Sequence, residues 1–176
     1  GVYSFYKPLS PETPIPEQQG EISDQRWKEL IALAHSDKAQ VFDDYTNYYL
    51  STDGQIYWTD THQLGYYDEN YESFLEKTLV DYKPGSLMIS EVYVPREKLY
   101  DFMDDLSKAN KNQNLDIIYG TIRLIKTDDE TYLRWAKQDY ACIVLNLRVD
   151  HSEAGIKKGK SDFRLLIDVA LSHEGS

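Results

Sequence analysis

The second half of the chain alternates strand-like with helix-like segments, and this alternation constrains the fold more than any other feature. Segments near 87–94, 116–126 and 140–149 are rich in β-branched and apolar residues, which predicts three strands. Strands interleaved with helices are typical of a parallel doubly wound sheet, but no glycine-rich phosphate loop follows any of these strands. The spacing also permits an α+β layer, in which helices cover a mainly antiparallel sheet.

Helices are predicted between and after these strands. Pro95 stands where a helix can begin, and an apolar stripe at helical spacing follows it, consisting of Leu99, Phe102, Met103 and Leu106. Asp128 is suited to cap a short helix that runs through Lys137. A last helix is expected at about 161–171, where apolar residues again recur at helical spacing.

The first half opens with a proline-rich segment. Residues 1–22 hold four of the six prolines, which predicts an extended lead-in with a short strand at 2–6. Ser23 is a good N-cap for a first helix, and further helices are expected at about 37–50 and 69–80. A short strand is expected at 55–58. Residues 23–176 are predicted to form the functional domain.

Charge and hydropathy narrow the classes of partner. The net charge is −11, which repels phosphate backbones and argues against nucleic acid as a partner. No apolar run approaches the roughly 18–20 residues that cross a bilayer, so we expect no membrane partner and a cytoplasmic location. The single cysteine, Cys142, excludes an internal disulfide and a cysteine-based zinc site. Because Cys142 lies in an apolar run, we expect a buried thiol.

Glu91 is the first candidate for a functional side chain. In an alternating strand, Ser90, Val92 and Val94 share one face, while Glu91 and Tyr93 share the other. A carboxylate at that position can orient substrate hydroxyls. The alternative is an ordinary solvated strand face.

Arg123 is the second candidate, because it stands in the middle of an otherwise apolar strand. Thr121 and Tyr119 lie on its face by the two-residue period. An arginine there requires a partner carboxylate or a ligand, and its planar fork suits carboxylates and lactone oxygens. The alternative is a structural ion pair, with Glu91 as one possible partner.

A histidine near residue 60 raises the question of a metal site. Asp60 and His62 share a strand face by spacing, but two ligands are too few and no third is marked nearby. We therefore expect no metal and interpret His62 as a polar residue near the substrate.

Several short segments together carry a family resemblance. They are residues 91–98 (EVYVPREK), residues 120–124 (GTIRL) with the Asp128-Asp129 pair, the core strand 142–147, and residues 53–64 (DGQIYWTDTHQL). Residues 88–176 resemble the C-terminal half of aldonolactone and alditol oxidases, which are FAD-linked flavoenzymes of the vanillyl-alcohol oxidase class. Residues 53–64 resemble a bacterial subgroup of FAD-linked oxidases. In the family, a glutamate stands where this chain has Thr121, so Glu91 is a candidate replacement for that carboxylate.

The resemblance implies a substrate-binding (cap) portion of an FAD-dependent oxidoreductase, with an α+β fold whose sheet is mainly antiparallel. It implies that the FAD-binding domain and a catalytic strand lie outside this chain, so the chain alone is expected to be inactive and to bind FAD weakly or not at all. Hydride would pass from a polyol, sugar lactone or similar alcohol to the flavin. Arg123 and Glu91 are the expected catalytic residues; the expected substrate-binding residues are Tyr119, Thr121, Tyr93 and His62.

The partners implied in this way are a small polar substrate and the chain's own FAD-binding domain. A second hypothesis from another class is a non-catalytic ligand-binding or protein-interaction module. The acidic surface and the absence of the family's catalytic strand from this sequence favour that alternative.

Overall fold

A computed structural model describes residues 2–17, 19–57 and 71–176. The chain divides into two compact units, Gly1–Tyr82 and Lys83–Ser176. Within the described ranges, no helix combines the length and the apolar character that crossing a membrane requires.

The first unit is helical. Its described helices are α1 (Asp24–Ser36), α2 (Lys38–Ser51) and α3 (Tyr71–Thr78). Ser23 and Asp37 cap α1 and α2, because their side chains accept hydrogen bonds from backbone N–H groups that the first turn of a helix leaves without partners. Buried side chains of α1 and α3 form the apolar contacts of this unit: Leu30, Ala32, Ala34 and Leu75.

Neither of the two strands predicted for the first half, at 2–6 and 55–58, occurs among the described residues. The described residues of 1–22 contain no helix or strand, and residues 55–57 are not a strand. Side-chain bonds take the place of a ladder: the hydroxyl of Ser4 pairs with that of Tyr49, and the Tyr6 hydroxyl lies 3.3 Å from the same atom. The predicted strand at 2–6 is therefore wrong: the aromatic residues of this segment make side-chain contacts and no backbone ladder.

The second unit has the predicted α+β architecture. In chain order it contains β1 (Gly85–Pro95), a 3-10 turn (Arg96–Lys98), α4 (Leu99–Gln113), β2 (Ile117–Ile125), β3 (Tyr140–Asp150) and α5 (Glu153–Ser172). The sheet order is β1-β3-β2, and both pairings are antiparallel. The expected fold class, an antiparallel sheet with helices on one face, is confirmed.

Helices α4 and α5 cover the same face of this sheet. Phe102 and Leu106 of α4 and Leu166 of α5 belong to one core cluster with Val92 and Val94 of β1 and with alternate residues of β3. Phe102 and Leu166 are fully buried, and side chains of that size contribute about 1.5–3 kcal/mol each by leaving water. The opposite face of the sheet carries neither of these two helices, and we call it the open face.

Two helices of the second unit differ from the predictions. The segment 128–137 is a loop and not a helix, because the Asp128 carboxylate accepts hydrogen bonds from the N–H groups of Glu130 and Thr131 and so closes a local turn. Helix α5 begins at Glu153, well before residue 161. Gly155 and Gly159 lower helix propensity in its first turns, but they let α5 approach β3 closely: a Cβ on Gly159 would lie 3.0 Å from Val149.

Candidate ligand site on the open face of the sheet

The strand register brings five of the six predicted site residues onto one surface. Directly opposed residues of antiparallel strands point to the same face of the sheet. The register pairs Val144 of β3 with Glu91 and Thr121, Cys142 with Tyr93 and Arg123, and Asn146 with Ile89 and Tyr119. On β1 and β3 these rows alternate with buried residues that share a core cluster with α4 and α5, so all of them belong to the open face.

Glu91 and Tyr93 act as a bonded pair on β1. The Tyr93 hydroxyl donates a hydrogen bond to the Glu91 carboxylate. This bond, with burial as the second cause, raises the pKa of Tyr93 well above the usual tyrosine range. Tyr93 therefore stays protonated at ordinary pH and holds the exposed Glu91 carboxylate in place.

Arg123 is exposed in the middle of β2. Among the described residues, no carboxylate forms an ion pair with its guanidinium, and Glu91 is bonded to Tyr93 instead. The structural ion pair with Glu91 is therefore not formed. The guanidinium remains a cationic fork that can accept a carboxylate or a polarised oxygen as partner.

Thr121 and Tyr119 continue the polar surface along β2. Both side chains are exposed, and Tyr119 keeps half of its surface accessible at 51%. A β-bulge between Ile117 and Tyr119 sets this arrangement: it places Ile118 among the buried residues and Tyr119 on the open face. Thr121 supplies a hydroxyl and no charge.

Cys142 lies at the centre of the open face, between Tyr93 and Arg123. It is 2% exposed, so its predicted burial is confirmed, although it faces away from the helix-covered core. Burial raises the pKa of the Cys142 thiol, and the nearby Glu91 charge adds to that effect. The thiol is therefore protonated at neutral pH and is a poor nucleophile.

Sequence reasoning missed Trp135, which stands next to this surface. Its ring is T-shaped against Tyr93 at 4.9 Å between centroids and stacked on Tyr140 at 6.0 Å. The residue lies in the segment predicted as a helix, which hid its role. Trp135 precedes Tyr140, the first residue of β3, by only a few positions. This closeness of two aromatic residues is the signal that could have identified it.

The remaining prediction, His62, lies outside the described residues, as does Asp60. Within the described ranges, no cluster of three or more histidine, cysteine, aspartate or glutamate side chains is arranged to hold a metal ion.

The N-termini of α1, α2 and α5 are poorly suited to the pyrophosphate of FAD. Such a group is usually bound by free N–H groups at a helix N-terminus. The first-turn N–H groups of α1, α2 and α5 are partly taken by the side chains of Ser23, Asp37 and Ser152, and acidic Asp24 and Glu153 stand in the first turns of α1 and α5. These three helix N-termini therefore offer few free N–H groups to a pyrophosphate, whereas α4 begins without a side-chain cap.

Comparison with known proteins gives no relative: no family model matches the chain, and neither the curated proteins nor the solved structures contain a significant match.

Proposed function

We propose that this chain is the substrate-binding portion of an FAD-dependent oxidoreductase that oxidises a polyol, sugar lactone or similar alcohol. The observation that supports the proposal is the grouping of Glu91, Tyr93, Thr121, Tyr119 and Arg123 on the open face. Glu91, Tyr93, Thr121 and Arg123 also lie in the segments that carry the family resemblance, and the strand register that groups them is independent of it.

The chemistry of the site suits a ligand rich in oxygen. Arg123 donates from a planar fork, which fits a carbonyl or carboxylate oxygen. Glu91 accepts hydrogen bonds from hydroxyl groups, and its orientation is fixed by Tyr93. In this proposal the residues of the chain bind and orient the substrate, while a separate FAD-binding domain supplies the electron acceptor.

A second candidate is a ligand-binding module without redox chemistry. The observation that favours it is the poor fit of the N-termini of α1, α2 and α5 to a pyrophosphate. Under this alternative the open face binds the same class of ligand, but no flavin accompanies the protein.

The test is to express the natural gene at its full natural length and to record the visible spectrum of the purified protein. The proposal expects bound flavin that is bleached when a hexitol or an aldonolactone is added without oxygen. The 176-residue chain, purified in the same way, is expected to retain no flavin. A full-length product without flavin, or with flavin that neither substrate reduces, would contradict the proposal.

Arg123→Met in that full-length protein is expected to slow flavin reduction by roughly a hundredfold to a thousandfold, since removing one donor that stabilises developing charge costs about 3–4 kcal/mol. Arg164→Met is the matched control, because Arg164 is an exposed arginine on α5, which covers the opposite face of the sheet. If both substitutions slowed flavin reduction equally, Arg123 would not be a residue of the site.

A further inference from the structure

Strand β2 is an edge of the sheet. In the order β1-β3-β2 it pairs on one side with β3, and within the described ranges no strand pairs with its other side. An edge strand directs every second N–H and C=O away from its neighbour, and a further strand can pair with these groups. Strand β2 can therefore accept a strand without any rearrangement of the sheet.

The helical cover of the sheet stops short of β2. Helix α5 packs on β3 and β1, and α4 packs on β1. In the register, Ile122 lies beside Ile143 and Leu124 beside Ala141, on the face that the helices cover. Ile143 and Ala141 are fully buried, whereas Ile122 is 45% and Leu124 is 62% exposed. Two rows of the core thus continue onto β2 as apolar side chains that no helix covers.

Few of the usual protections of an edge strand are present in β2. Edge strands are commonly kept from pairing by short length, charged side chains, prolines or bulges. Strand β2 has nine residues, contains no proline and carries one charged side chain, that of Arg123. Its single irregularity lies between Ile117 and Tyr119, so the remainder of the strand pairs regularly with β3. A strand of this composition is expected to be covered by another strand.

The distribution of charge permits that strand to come from a second copy of the chain. Residues 83–176 contain 15 acidic and 14 basic side chains, so most of the net charge of −11 belongs to residues 1–82. Two copies of the second unit can therefore approach each other without a large repulsion between net charges.

The sequence of β2 is complementary to itself in one register. When two copies of one strand pair antiparallel, opposed residues point to the same face, so the two-fold axis passes at a residue of the strand. Thr121 is the middle residue of Ile117–Ile125, and an axis there gives the longest overlap. Arg123 then opposes the partner's Tyr119, whose ring and hydroxyl both suit a guanidinium. An axis at Arg123 would instead oppose two like charges.

We propose that β2 pairs with the β2 strand of a second copy of this chain, antiparallel about a two-fold axis at Thr121, and joins two sheets into one of six strands. Ile122 of each copy then lies diagonal to the partner's Ile122, at about 7–8 Å. The open faces of the two copies become one continuous surface, in which the partner's Tyr119 adjoins each Arg123. The pairing does not depend on the function proposed for that face.

The first experiment is sedimentation equilibrium of the complete chain up to about 1 mM, which detects even weak association. The wild type is expected to pass from monomer to dimer as its concentration rises. Ile122→Lys is expected to raise the dissociation constant of the dimer at least about tenfold, because it sets two charges beside the axis and removes an apolar contact. Ile89→Lys is the matched control, since Ile89 is a 58% exposed isoleucine on β1, and it should leave the constant unchanged.

The second experiment tests the register by disulfide cross-linking. The native Cys142 is 2% exposed and does not compete for oxidation. Thr121→Cys is expected to form a disulfide between two copies under mild oxidation, because the two residues are directly opposed. Arg123→Cys is expected to remain unlinked, since four residues along the strand, about 13 Å, separate it from the position opposite its equivalent. Thermal unfolding verifies that each variant is folded.

Three results would overturn the proposal. The first is a wild-type chain that stays monomeric up to about 1 mM. The second is a dimer that Ile122→Lys leaves intact or that Ile89→Lys weakens equally, because the copies would then associate through another surface. The third is a disulfide that forms as readily in Arg123→Cys as in Thr121→Cys. None of these results bears on ligand binding by the open face, which is measured separately.

Discussion

Tyr93 and Ser176 exchange both of their backbone hydrogen bonds. The Tyr93 N–H donates to the Ser176 carbonyl at 2.7 Å, and the Ser176 N–H donates to the Tyr93 carbonyl at 2.9 Å. A reciprocal pair of this kind is the unit of an antiparallel ladder. It forms on the side of β1 that does not pair with β3, and so it adds backbone contacts to the strand that carries Glu91 and Tyr93.

Gly175 makes this pair possible. A Cβ at residue 175 would lie 2.3 Å from the Tyr93 carbonyl oxygen and 2.7 Å from that of Ala170. We expect Gly175→Val to break the pair and to destabilise the protein by about 1–3 kcal/mol. Hydrogen exchange at the Tyr93 amide is the measurement. Ser176→Ala leaves the backbone bonds intact and serves as control, and a Tyr93 amide that stays protected in Gly175→Val would refute the steric account.

Glu174 ends α5 in a left-handed conformation, with φ at 61°. Its N–H bonds the Leu171 carbonyl, and the N–H of Gly175 bonds that of Ala170, which is the Schellman arrangement that normally places glycine at this position. Glu174→Gly is expected to raise the free energy of unfolding by about 1 kcal/mol, because the left-handed penalty is removed. Glu174→Ala keeps the penalty and should show no gain in urea denaturation. A gain of equal size in both variants would point to loss of charge as the cause.

The sequence predicted which residues share the open face of the sheet, but it did not predict the conformation of the loop between β2 and β3. The alternation around Glu91 and the spacing of Tyr119, Thr121 and Arg123 sufficed, because side-chain direction in a strand depends only on the two-residue period. Trp135 could not be assigned, since its position depends on long-range bonds from Arg96 and on the Asp128 turn. For the same reason, the sequence did not show that Glu91 bonds Tyr93, so that Arg123 forms no ion pair within the described ranges.

The Cys142 thiol is expected to resist alkylation in the native protein. It is 2% exposed, and burial raises its pKa, so little thiolate is present at neutral pH. A thiol reagent should modify the protein promptly in urea and barely at all without it. Tyr93→Ala, which uncovers the neighbouring position on β1, is expected to accelerate the native reaction. Fast native labelling of the wild type would show that the open face is less closely packed around Cys142 than described.

Asp139 makes the base of the loop sensitive to acid. The hydrogen bond from the Thr127 N–H, with a smaller contribution from Arg96, lowers the pKa of Asp139 below its usual value of about 4. Because the pKa is lower in the folded state, the stabilisation is fully present above the usual aspartate range and is lost as the pH falls through the lowered value.

The Thr127 amide signal in NMR is expected to titrate with a midpoint below that of an ordinary aspartate. Asp139→Asn keeps an acceptor oxygen and should abolish the titration. A midpoint at or above about 4 would mean that the Thr127 bond does not favour the charged carboxylate.

The most direct test of the central claim, that the open face is the ligand site, is the affinity of the 176-residue chain for the γ-lactone of gulonic acid in Arg123→Met. Hydrogen bonds to charged groups contribute about 1.5–3 kcal/mol, so calorimetry should show affinity reduced by roughly tenfold to a hundredfold. Thermal unfolding should change little, since Arg123 is exposed and forms no ion pair among the described residues. Arg164→Met should retain wild-type affinity. Unchanged lactone affinity in Arg123→Met, together with a marked drop in melting temperature, would show that Arg123 is structural and would contradict the account.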